Sequence, residues 1–142
     1  MDRKSGEQKV FEADSRFTKN VVEKCESGNY EQWERHNIEN PHFYDLMYLP
    51  QTGMYARLHL GGIEFDATRD ILNLMDDRDL YLTFFDKDFM VVGEAKLPSH
   101  RYNYFTGWRE TNDGVALFVD NSLDENEKTE ELVLDIVRLQ AD

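Results

Sequence analysis

Apolar side chains fall along this chain in short runs bounded by turn-forming residues, some of them alternating with polar positions in the spacing that places them on one face of a half-buried strand. The clearest case lies between residues 42 and 60. Phe43, Tyr44, Leu46, Met47, Tyr48 and Leu49 predict one strand, Pro50-Gln51-Thr52-Gly53 a turn, and Met54 to Leu60 its partner. In that partner Met54, Ala56, Leu58 and Leu60 share a core-facing side, leaving Tyr55, Arg57 and His59 on the other. A second hairpin joins residues 80–85 to 90–96 across Asp86-Lys87-Asp88-Phe89. A third joins 102–108 to 115–119 across Asn112-Asp113-Gly114, where Asp-Gly is expected to supply the positive φ angles of a tight turn.

A short strand at residues 7–13 precedes these hairpins, and a final strand at 132–139 follows them. In the final strand Leu132, Leu134 and Ile136 alternate with Val133, Asp135, Val137 and Leu139. Both faces are therefore partly apolar, and the strand is expected inside a sheet. Residues 14–40 read as a long polar connection with a short helix near 30–36, which must stop before Pro41 because the residue preceding proline is pushed out of the α region. Gly61-Gly62 and the charged stretch 66–79 separate the first two hairpins, with a turn of helix around Ile71 to Met75. Residues 121–130 form a charged connector. The fold class is all-β: an antiparallel meander of about eight short strands.

With 142 residues, 40% of them hydrophobic, the chain supplies one core of ordinary size. Residues 1–142 therefore read as a single β-rich domain or as the carboxy-terminal fragment of a larger one. The balance of 16 basic against 29 acidic residues gives a net charge of -13, spread along the chain. Such a surface repels phosphate backbones and anionic lipid, which argues against nucleic acid and acidic membranes as partners. No apolar run approaches the roughly 18 residues of a membrane span, and Met1 to Lys9 is polar where a signal peptide would be apolar. Neither insertion nor secretion is expected from the chain as written. Cys25 is the sole cysteine, so one copy holds no internal disulfide and no cysteine-based zinc site, and no base stands beside it in sequence.

Three phrases carry a resemblance: His42-Phe43-Tyr44-Asp45 through Tyr55-Ala56-Arg57; Leu82-Thr83-Phe84-Phe85-Asp86-Lys87-Asp88-Phe89 with Val92-Gly93-Glu94-Ala95-Lys96-Leu97; and Asp113-Gly114-Val115-Ala116-Leu117. Together, over residues 9–139, they resemble the carboxy-terminal part of Bacteroides-type six-bladed propeller-like proteins of unknown function, usually exported lipoproteins. In that family a strand ending in Tyr-x-Arg precedes an Asp-x-x-Phe turn, a Glu-x-x-Leu strand and a Gly-containing hairpin. The resemblance implies four-stranded blades, of which a chain this long supplies about two. It implies sheet edges that a homodimer would cover, and a place in the periplasm or at the cell surface.

Tyr102, Tyr104 and Thr106, followed by Trp108, would alternate onto one face of a strand, and such rings stack on sugars, anchor a protein partner, or fill the space between sheets. Tyr55 and Arg57 carry the same alternatives of ligand binding and pairing within the sheet. Asp120, Ser122, Asp124 and Glu131 fall at positions 1, 3, 5 and 12 of a calcium-loop spacing, but Glu125 stands where that loop needs glycine. His36, His42, His59 and His100 fit no zinc signature, although a hairpin would bring His42 and His59 near each other. Acidic pairs such as Asp76-Asp77 and Glu130-Glu131 are sequence neighbours rather than carboxylates facing across a cleft. No catalytic constellation and no cofactor are expected. The reading is a non-enzymatic binding or scaffold module for a protein or glycan. Its rival is a cone-shaped α+β pocket protein or enzyme of nuclear-transport-factor-like type, which needs residues 17–36 to be largely helical.

Overall fold

The computed structural model describes residues 11, 13–20, 22, 24–25, 28–105, 107–119 and 132–140, and the alternation becomes two antiparallel sheets. The larger contains β1 (His42–Phe43), β2 (Met47–Leu49), β3 (Met54–Leu60), β4 (Leu80–Phe85) and β5 (Val91–Lys96). Its order is β1-β3-β4-β5, with β2 also paired to β3. The smaller runs β6 (Trp108–Glu110), β7 (Val115–Phe118) and β8 (Leu134–Val137) in sequence order. Two short helices, α1 (Tyr30–Glu39) and α2 (Ile71–Asp76), complete an all-β meander. No helix among the described residues is long and apolar enough to cross a membrane.

The single strand expected at residues 43–49 is two. Phe43 opposes His59 whereas Met47 opposes Ala56, so one side carries one residue more than the other, a bulge that bends the strand. The bulge frees Tyr44 to lay its ring 4.5 Å from that of Trp108 on the second sheet. Helix α1 starts where Asn29 caps the amide of Gln32 and extends past the expected end to Glu39; Asn40, before Pro41, is extended. The strand expected at 102–108 is also revised. Asn103 accepts from the Phe105 amide in an Asx turn, which pulls the chain out of extended geometry. What remains is one bridge, Tyr102 to Val119, and a strand that begins at Trp108. Thr106 and most of the strand expected at 7–13 lie outside the described residues.

Both sheets feed one core: Ala56, Leu58 and Leu60 on β3 and Leu80, Leu82 and Phe84 on β4 meet Val115 and Leu117 on β7. Gly114 belongs to this packing for a reason other than the expected positive φ. A Cβ there would overlap the Val137 carbonyl, so glycine is what lets β8 close on the β6–β7 turn. Among the described glycines Gly53 is the one with positive φ, in the Pro50 turn. Arg78, buried, ties the other end: it donates to the carbonyls of Gly61 at 2.7 Å, Asn37 at 2.8 Å and Asn40 at 2.7 Å, clasping β3 to the end of α1.

Candidate functional site

The side of the larger sheet turned away from the core carries the densest chemistry. Period-two alternation and antiparallel register put Tyr55, Arg57 and His59 of β3 beside Phe85, Thr83 and Tyr81 of β4, and Glu94 of β5 beside Thr83. The stack Phe17, Tyr81, His59, Phe43 runs across it at centroid spacings of 5.2, 5.0 and 5.3 Å. The Arg57 guanidinium then lies over Phe43 at 4.5 Å and Phe85 at 5.3 Å. Tyr55 stacks on Phe89 at 4.7 Å, and Phe89 holds a left-handed φ of 62° in the Asp86 turn, a costly conformation for a bulky residue that aims its ring at this face.

An amino-terminal arm, residues 11 and 13–20, covers the face. Arg57 Nη2 donates to the Ala13 carbonyl at 2.8 Å and Glu94 Oε2 accepts the Arg16 amide at 2.7 Å. Ser15 Oγ accepts the amides of Phe17 and Thr18, which leaves its own proton for His59 Nε2, 3.3 Å away. Thr83 donates to Glu94 Oε1 at 2.8 Å. His59 and Thr83 are fully buried, so β3 and β4 are covered on both sides where the arm crosses them. Burial pushes the His59 imidazole down to about 4, with Glu94 opposing the fall and Arg57 adding to it. Burial likewise lowers Arg57.

Ser15, His59 and Glu94 do not form a nucleophile–base–acid relay. Glu94 approaches Nε2, at 4.0 Å, the same nitrogen that meets Ser15, whereas a relay needs the acid on Nδ1. His59 Nδ1 and Arg57 Nε are buried with no hydrogen-bond partner among the described residues. Of the residues singled out in the sequence, Tyr55 and Arg57 stand on this face, and Tyr102, Tyr104 and Trp108 do not join them. Those three are partly buried against the core. Tyr102 donates to Asp135 at 2.7 Å, beside the ion pair of Arg101 with the same carboxylate oxygen at 2.8 Å. Arg101 first and then Tyr102 hold the Asp135 carboxyl below the ordinary range. Burial raises Tyr104 above the ordinary tyrosine value, and its hydrogen bond to Asp76 adds to this.

The hairpin does bring His42 and His59 to neighbouring positions. However, His42 opposes Leu60 while His59 opposes Phe43, so the pleat sends them to opposite faces and they share no ligand. The calcium-spaced Asp120, Ser122, Asp124 and Glu131 lie outside the described residues. Sequence reasoning passed over Ser15, Thr83, Glu94 and Arg78. Thr83 and Glu94 had a signal in the strand register, since both fall on the Arg57 side once β3, β4 and β5 are aligned.

A second feature lies on the smaller sheet. Strand β8, expected inside a sheet, is an edge strand among the described residues, in the order β6-β7-β8. Val137 and Leu139 pack against the core, while Leu132, Leu134 and Ile136 are 72%, 45% and 47% exposed. Ala116 and Phe118 lie beside Ile136 and Leu134 in register and extend the apolar strip.

These features define a class, all-β chains of short antiparallel strands in meander order. No protein-family model matches the sequence, and no curated protein matches it. Among solved structures the chain is similar to a member of the DUF4221 family from Bacteroides vulgatus, at 17% identity and a TM-score of 0.59. The match covers 75% of this chain and 30% of that one, so it spans well under half of that protein. At the level of fold this agrees with the Bacteroides-type resemblance in the sequence; the rival with helical residues 17–36 is not met, because α1 begins at Tyr30.

Proposed function

We propose that the chain is a non-enzymatic binding or scaffold module, propeller-like in kind, that holds a protein partner against the outer side of its smaller sheet. One observation carries this reading: β8 has the two-sided apolar pattern of an interior strand and sits at an edge with Leu132, Leu134 and Ile136 open. Strands of that pattern are ordinarily covered on both faces, and bare apolar edges invite association. The chemistry it fits is another apolar sheet face at the usual 10 Å or so between packed sheets, and a second copy of this chain provides one. The glycan reading draws on a different feature, the exposed pair Tyr30 and Trp33, whose rings lie 5.7 Å apart on adjacent turns of α1.

Size exclusion with light scattering tests the protein reading. The expected mass is at least twice the 16.8 kDa of one chain, and Ile136→Lys with Leu134→Lys should return it to the single-chain value. A wild-type mass of one chain up to about 100 μM would rule out a stable self-contact.

A further inference from the structure

The arm is held as a peptide ligand would be held. Two of its contacts grip main chain without regard to sequence: Arg57 takes the Ala13 carbonyl and Glu94 takes the Arg16 amide. Two more take aromatic rings six positions apart, Phe11 on Phe89 at 4.6 Å and Phe17 on Tyr81 at 5.2 Å. Between them the Ser15 hydroxyl meets His59. Two side chains from β3, one each from β4 and β5 and one from the Asp86 turn thus serve one short segment.

The fit is incomplete in a telling way. Phe11 and Phe17 remain about half exposed although they are the segment's apolar anchors. Beneath them Arg57 Nε and His59 Nδ1 are buried without a partner among the described residues, and buried donors of this kind are rare in folded proteins. A segment that offered a side-chain acceptor at this level would satisfy groups that the arm leaves unpaired.

We propose that the outer face of the larger sheet is a peptide-binding site, filled in cis by residues 11 and 13–18 and open to an extended segment of a partner protein. That segment carries two aromatic side chains six positions apart and a hydrogen-bond acceptor between them. The site lies on a different sheet from the β8 strip and does not depend on it. The cis arm acts as a tethered competitor, present at an effective concentration of the order of millimolar.

The test uses the full chain and a fluorescein-labelled peptide of residues 9–20, followed by anisotropy. The variant Phe11→Ala with Phe17→Ala, whose own arm has lost both anchors, should bind this peptide about tenfold or more tighter than wild type does, because its competitor is weakened. A peptide with both phenylalanines replaced by alanine should not bind, and Arg57→Met in the same variant should weaken binding of the intact peptide. A double variant with wild-type circular dichroism that binds nothing at about 1 mM peptide, or binds both peptides alike, overturns the proposal. If the double variant does not fold, hydrogen exchange on wild type decides. Excess intact peptide should speed exchange at the Arg16, Phe17 and Thr18 amides, and unchanged protection there overturns it.

Discussion

His59 shows how one residue is set by its surroundings. On sequence it is the third of three alternating polar or aromatic positions on β3; in the fold it lies between the rings of Phe43 and Tyr81, with Arg57, Glu94 and Ser15 as polar neighbours. Its folded value of about 4 lies below the 6.5 of a free imidazole. As pH falls, the unfolded chain therefore takes up this proton first. The stability tied to neutral His59 is complete above about pH 6.5 and is lost progressively down to about pH 4. Denaturant titrations of wild type and His59→Asn across that window should diverge by an amount on the order of 3 kcal/mol, with wild type showing the steeper fall. Parallel curves would show that the imidazole is solvated in the native state.

Elements here are joined by a few contacts that no local pattern announces. Arg78 belongs to the charged stretch after α2, yet it turns inward to three carbonyls, including Asn37 and Asn40 at the end of α1, where the helix dipole favours a cation. Arg78→Met would remove the three charge-assisted hydrogen bonds that this buried side chain makes. It should cost about 3 kcal/mol or more by chemical denaturation, whereas Arg109→Met on the exposed side of β6 should stay within about 0.5 kcal/mol. Equal effects would mean that the clasp contributes nothing beyond a surface charge. Strand β8 makes the opposite point: its alternation predicts a strand with two apolar faces but not its place beside β7 alone, because periodicity reports how many faces want covering and is silent about what covers them.

For the molecule as a whole, charge and apolar surface pull against each other. A net charge of -13 opposes contact between copies, and the β8 strip favours it. Screening weakens the first and leaves the second, so raising salt from about 50 to about 500 mM should strengthen self-association in sedimentation or light scattering. Dissociation by salt would instead point to an ion-paired contact elsewhere on the surface.

The sequence by itself determined the second hairpin, the returning strands of the other two, the stop before Pro41 and the core side of β3, because alternation, turn chemistry and proline sterics act within a few residues. Aromatic residues were legible as candidates, but Tyr102, Tyr104 and Trp108 went to the core while Tyr55 and Arg57 went to the arm face. That division, the meeting of Ser15 with His59 across 44 positions and the reach of Glu94 to Arg16 across 78 were decided by tertiary structure alone. Such contacts depend on which sheet faces which and on where the arm crosses, and these are set by the packing of the entire chain instead of by any stretch of it.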